Sequence, residues 1–363
     1  MKIDQFTQKT NLKHSLPVLL FLLCSCGSRI IDEKYAAAVV KDKLSLSGDV
    51  SALDLKGGFS GDKLFAVTSE TKKYVVRFIN NTHLKDVERD IYNLKVASDA
   101  GYGPKIYFTD PSRGIVIMEY LSSKKISNQD LQSNQFYVAL AQLLKKIHHG
   151  PAFQGNYDVF NRIARRIQST KSKYGDDVPS AKIEQVIRVI HQVLLPHLIT
   201  VPCHNDLHLG NMMLCGDEFK AIDYGDAGLA DPYFDIAKVE FELDGSPMYR
   251  QELLALYLEH KPSAIEKAKL YLMKQVVLIR IYLDDLNHQI SPEFVHKYGL
   301  IKAPSFGEFK QEYLAGKLDL SRPENKLMFL KAMLNQVFDN FESQEFKNAV
   351  NLLSKKDIES KKD

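Results

Sequence analysis

Tryptophan is absent from this 363-residue chain, cysteine is scarce, and neither sign of charge dominates. Four cysteines are too few for a disulfide-stapled scaffold. Two of them, Cys24 and Cys26, lie one residue apart, where a bond between them would close a strained loop. Lys and Arg number 48 against 45 Asp and Glu, so the basic excess of a dedicated nucleic-acid binder is missing. The apolar run from Leu16 to Leu23 is too short for a comfortable transmembrane helix, and the composition excludes a polytopic membrane protein. No internal repeat or low-complexity tract is visible. What is present, 45% hydrophobic and 26% charged residues, matches a folded globular chain and excludes a disordered one. The length predicts one large domain or two lobes, with ample apolar material for a core.

Residues 1–28 have a layout of their own. Lys2, Lys9 and Lys13 precede the apolar run, which ends in Cys24-Ser25-Cys26-Gly27-Ser28. A basic stretch, an apolar stretch and small residues form a secretory signal. Leu23-Cys24-Ser25-Cys26 resembles a bacterial lipobox, in which Cys26 would be lipidated and anchor the chain to a membrane. The alternative is a short apolar leader on a cytosolic protein.

Beyond a helix around Glu33–Leu44, the first third alternates in the manner of strands, near residues 53–55, 64–67, 74–79, 105–109 and 114–119. A helix over residues 83–98 interrupts them and ends at Gly101-Tyr102-Gly103-Pro104. From Asn134 the chain becomes mostly helical, broken by one island from Val201 to about Asp235. This order predicts an α+β, bilobal molecule: a small β-rich N-lobe over residues 36–121 and a larger, mostly helical C-lobe over residues 122–354. Residues 355–363 read as a charged, solvated tail.

The island concentrates the chemistry. His204-x-Asp206, with Asn211 five residues after the Asp, fits the H-x-D-x-x-x-x-N loop of kinases, and Asp223-Tyr224-Gly225 follows where the D-F-G element would stand. Phosphoryl transfer needs one Asp to orient and deprotonate a hydroxyl, and an Asn and a second Asp to hold Mg²⁺ on the triphosphate. A zinc site built from Cys203, His204, His208 and Cys215 is the competing reading; its spacing matches no common zinc motif.

The stretches HNDLHLGNMML and AIDYGDAGLADPYFDIA resemble the superfamily of choline/ethanolamine kinases, thiamine kinases and aminoglycoside phosphotransferases, from about residue 40 to residue 290. The resemblance implies a protein-kinase-like fold, ATP and Mg²⁺ as cofactors, and phosphorylation of a small-molecule alcohol. It implies Asp206, with His204, as catalytic, and Asn211 and Asp223 as metal ligands. Gly57, Gly58, Ser60 and Gly61 match the phosphate loop. Arg77 stands where protein kinases place the strand Lys, paired with a carboxylate on the following helix. Asp90 and Glu88 are the candidates for that carboxylate, and Glu88 is preferred on reach. Glu119 to Leu121 match the hinge that meets adenine, and Asp235 would support the catalytic loop by hydrogen bonds. His148 reads as structural.

The acceptor is expected to be a small hydroxyl-bearing cation of the choline or ethanolamine kind, which would favour acidic and aromatic walls. Glu242, Asp226, Tyr271 and Tyr282 are the candidates, with Asp244 nearby in sequence. Choline kinases build their ammonium cage with Trp, which this chain lacks. Antibiotic or thiamine phosphorylation, and a membrane-tethered binding module without catalysis, are the alternatives. The need for ATP implies a cytoplasmic catalytic domain, whereas a functional lipobox would imply export.

Overall fold

Strand alternation sorts the first third of the chain into two faces, and each face finds its own cover. The computed structural model describes residues 30–55, 61–70, 72–80, 83–127, 129–243, 250–299 and 302–354. The leader, the tail, Asp244 and the turn residues Gly57, Gly58 and Ser60 lie outside them. Helix α1 (Glu33–Lys43) starts at Asp32, whose side chain accepts from the Tyr35 amide. Strands β1 (Ser51–Asp54), β2 (Lys63–Thr68) and β3 (Lys73–Phe78) follow, then α2 (Leu84–Asp99), β4 (Ile106–Asp110) and β5 (Ile115–Glu119). The strands form one antiparallel sheet in the order β1-β2-β3-β5-β4. Tyr74, Val76 and Phe78 point to one face and bury Ala36, Val39 and Val40 of α1 in a small core. The alternate residues, Val75 and Arg77, point to the opposite face.

The helical part comprises α3 (Asn134–His148), α4 (Val159–Tyr174) and α5 (Ser180–Leu194) before the island. Helix α4 has a weak sequence signature, because Arg and Lys dilute its buried stripe of Val159, Phe160, Ile163, Ile167 and Tyr174. The island holds four short strands, β6 (Val201–Cys203), β7 (Met212–Cys215), β8 (Glu218–Ala221) and β9 (Gly228–Ala230). They make two antiparallel pairs, β6 with β9 and β7 with β8. Then come α6 (Pro232–Glu242), α7 (Arg250–Leu258), α8 (Ala264–Gln289), α9 (Pro292–Tyr298), α10 (Phe306–Leu314), α11 (Pro323–Glu342) and α12 (Gln344–Ser354). Helix α8 opens on a capping box between Ser263 and Glu266.

The fold is therefore α+β and bilobal, and the two lobes meet in several polar contacts. Asn93 of α2 is wholly buried; its amide nitrogen donates to the carbonyls of Gln154 and Ala227 at 3.2 and 3.0 Å. Its amide oxygen accepts from the Gln154 amide at 2.7 Å. The Tyr102 carbonyl accepts from the Ala221 amide at 2.8 Å. At the crossover, Glu119 accepts from Lys220 at 3.2 Å. No helix among the described residues is long and apolar enough to cross a membrane.

Candidate active site

The β7–β8 hairpin explains how distant sequence positions converge. Met212 pairs with Ala221, so Asn211 and Asp223 emerge at the same end of the hairpin. The Ile222 amide donates to the Asn211 carbonyl at 3.0 Å and locks that end. Asn205 and Asp223 both adopt left-handed backbone, with φ of 64° and 65°. Such a conformation costs about 1–3 kcal/mol in a non-glycine residue and needs firm support from its surroundings.

Asp235 supplies much of that support. It is fully buried at the start of α6 and accepts from the backbone amides of His204 at 2.8 Å and Asn205 at 2.7 Å. His148 approaches it at 3.2 Å and passes its other ring nitrogen to the Tyr257 hydroxyl at 2.9 Å. Burial alone would raise the Asp235 carboxyl; the His148 and His204 interactions outweigh it and hold the group below its ordinary value. His204 is also buried. Its Nδ1 accepts from the Asp206 amide at 3.3 Å, which leaves Nε2 to donate to the Ile222 carbonyl at 2.9 Å. Both ring nitrogens are thereby used in shaping the loop. Tyr224, wholly buried, packs its ring tilted against His204 with centroids 4.8 Å apart and donates to the Ala221 carbonyl.

Those contacts aim Asp206 into the cleft, where its side chain is 35% exposed. The Asn211 amide nitrogen donates to the Asp206 carbonyl at 3.0 Å and to its carboxylate at 3.2 Å. The opposite carboxylate oxygen is paired with Lys238 of α6, a residue that sequence reasoning missed. A signal existed: Lys238 lies three residues after Asp235, on the same helical face.

Across the cleft, Arg77 meets three carboxylates. Its Nε donates to Asp62 at 2.6 Å, one Nη lies 2.9 Å from Asp90, and Asp223 stands 3.9 Å away. Burial opposes the charge of Arg77, but the three acids outweigh it and raise the guanidinium further. The preference for Glu88 is corrected here: Asp90 is the partner. Val87, Asp90, Ile91 and Leu94 recur at helical spacing and share the buried face of α2, whereas Glu88 is exposed. Burial raises the Asp90 carboxyl despite Arg77. Asp62, one residue after Gly61, also accepts from the Asn80 amide at 2.8 Å.

Gly61 sits at φ +74°, a conformation glycine adopts without strain. On the Arg77 face of the sheet a cavity of about 170 Å³ is lined by Leu53, Leu55, Ala66, Lys73 and Tyr120. It adjoins the crossover at Glu119 and the buried Leu121.

The acceptor candidates divide. Asp226 is held to the catalytic loop through its carbonyl, which accepts from the Asn205 side chain at 3.1 Å, and its carboxylate meets Arg162 at 3.0 Å. Glu242 lies one turn beyond Lys238 on α6. Tyr271 and Tyr282 are corrected: neither reaches Asp206. Tyr271 lies beside Ser343, between α11 and α12, and Tyr282 is core, 4% exposed and next to Tyr174. The zinc reading loses its ligands. His204 is engaged at both nitrogens, and the buried Cys203 thiol, raised well above its usual range by burial, contacts the Ala230 carbonyl. His148, Cys203 and Asp235 do cluster, but inside the support of the loop.

Known proteins resemble this chain in sequence and in fold. The model of the phosphotransferase enzyme family matches residues 51–271. Protein LicA of Haemophilus influenzae is 27% identical over 191 residues, covering 51% of this chain and 72% of LicA. Among solved structures, a choline/ethanolamine kinase family protein from Mesorhizobium loti superposes with a TM-score of 0.61 at 16% identity, over 85% of this chain and 92% of that one. A LicA structure in complex with AMP gives 0.56 at 18% identity, over 85% and 98% of the two chains. These structures share the protein-kinase-like fold. The family match spans both lobes and the whole loop from His204 to Asp223, and this chain accordingly belongs to the phosphotransferase enzyme family, enzymes of phosphoryl transfer to a hydroxyl group.

Proposed function

We propose that the protein is an ATP-dependent small-molecule kinase that moves the γ-phosphoryl group to a hydroxyl of a small acceptor. The observation that carries this reading is the meeting of Asp206, Asn211 and Asp223 with Arg77 at one cleft between the lobes. The acceptor oxygen forms its bond to the γ-phosphorus as the bond to the bridging oxygen breaks. Asp206 takes the hydroxyl proton, and ADP leaves. Arg77, fixed by Asp62 and Asp90, faces the phosphates with a rigid fork of donors. By its sequence match, the stretch Gly57 to Gly61 is the phosphate-binding segment of this reading.

Mg²⁺ fits the donor set. The Asp223 carboxylate is 47% exposed, and the Asn211 amide nitrogen is committed to Asp206, so its oxygen is the atom left for a cation. A bound ion supplies charge that neutralises the phosphates. An ADP-release assay over choline, ethanolamine, thiamine, aminoglycosides and sugars tests the reading. Turnover is expected with at least one acceptor and should vanish on chelation with EDTA. A folded protein that binds no Mg·ATP would refute it.

The Arg77 pairing gives a second test. Asp90→Ala is expected to raise the KM for ATP about tenfold or more, since a charged hydrogen bond contributes roughly 1.5–3 kcal/mol. Glu88→Ala should leave that KM unchanged. Equal effects of the two substitutions would remove Asp90 from its role. For localisation, the need for ATP favours a cytoplasmic catalytic domain. Membrane fractions that hold the wild type but not Cys26→Ala would instead support the lipid anchor.

A further inference from the structure

The acceptor must approach Asp206 from the side opposite Arg77, because the N-lobe sheet holds the nucleotide face. Helices α4, α6 and α8 bring charged groups to that side in two sets, one at Lys238 and one around Asp226 and Asp284. Lys238 pairs with Asp206 itself. Asp226, tied to Asn205, pairs with Arg162 at 3.0 Å, and the Arg162 guanidinium lies 4.1 Å over the Tyr157 ring. Arg280 also reaches the Tyr157 hydroxyl. Beyond it, Asp284 is shared between Arg280 and Arg166, the latter at 2.8 Å. Three guanidinium groups thus share two carboxylates, Asp226 and Asp284, and a lysine is added at the catalytic Asp. Burial together with the nearby charges of Arg280 and Arg162 lowers the Arg166 guanidinium, as expected of crowded cations.

We propose that this wall selects an acceptor that carries a negative charge, a carboxylate or a phosphate ester, next to the hydroxyl that is phosphorylated. The inference rests on the kinase reading above and names its substrate class. A quaternary ammonium alcohol would bring its cation against Lys238 and the guanidinium groups, with no Trp and neither Tyr271 nor Tyr282 at hand to receive it. An anion instead meets donors already oriented: Arg162 is fixed by its stacking and its carboxylate, and a planar fork of N–H groups suits both carboxylate and phosphate.

The experiment has two stages. Calorimetry with Mg²⁺ and a non-hydrolysable ATP analogue first asks whether nucleotide binds. ADP release is then measured with gluconate, glycerol 3-phosphate, glucose and choline; gluconate and glycerol 3-phosphate separate the carboxylate source from the phosphate source. An anionic alcohol is expected to exceed choline at least tenfold in kcat/KM. In Arg162→Gln the KM for that alcohol should rise about tenfold or more, with the KM for ATP and the melting temperature unchanged. Arg162→Lys should recover part of the loss. A higher kcat/KM for choline than for both anions, or no turnover of either anion by a nucleotide-binding protein, overturns the inference and leaves the kinase reading standing. Absence of nucleotide binding removes both.

Discussion

Asp206→Asn is expected to lower kcat by roughly 10²–10⁴-fold while Mg·ATP still binds with near-normal affinity. The substitution keeps the shape of the side chain and removes the acceptor of the proton. Asn211 can still donate to the carbonyl of residue 206, so the loop keeps one of its two ties. The nucleotide side is untouched, because Arg77 is held by Asp62 and Asp90 and not by Asp206. Single-turnover rates paired with calorimetric titration of nucleotide separate the two effects. Retention of full turnover would remove Asp206 from the chemistry.

The second large effect is on stability. Asp235→Asn is expected to destabilise the fold by about 3–5 kcal/mol, the range for breaking a buried charged network by changing one partner. One carboxylate oxygen accepts from the His204 amide and the other from the Asn205 amide. An Asn must point its own N–H₂ at one of those donors and leave it unpaired in a wholly buried site. Denaturant midpoints measure the loss. A variant as stable as wild type would contradict the role given to this carboxylate.

The same group sets a pH dependence. The carboxyl of Asp235 is held below its ordinary value in the folded state, with burial opposing and His148 and His204 prevailing. A lowered folded value means that the stabilisation is present above the unfolded value, near 3.9, and is lost as pH falls through the folded one. The wild type should therefore lose stability below about pH 4, and Asp235→Asn should flatten that limb.

Much of the site was legible before the structure because it is local. His204, Asp206, Asn211 and Asp223 fall within twenty residues, and the register of the β7–β8 hairpin brings Asn211 to Asp223. The sheet was legible for the same reason, since alternation marks strands and short turns join them. What escaped depends on orientation. Choosing between Glu88 and Asp90 requires knowing which face of α2 turns inward, and reach is a poor substitute for that. Tyr271 and Tyr282 look alike in sequence to aromatic walls of a pocket, yet α8 turns one toward α11 and the other into the core. Lys238 offered only its spacing from Asp235, and the guanidinium groups of α4 were silent, because their meetings with Asp206, Asp226 and Asp284 are tertiary, between segments more than thirty residues apart.

Asn93 carries a consequence for control. In kinases whose activity is switched by moving the helix that bears the carboxylate partner, that helix must leave and return. Here α2 is fastened to the C-lobe by three hydrogen bonds of a fully buried Asn, one of them to Ala227 just past the Asp223 loop. Displacing α2 would strand those groups at roughly 1–3 kcal/mol each, besides separating Asp90 from Arg77. The catalytic assembly therefore has no inexpensive off state built on this helix.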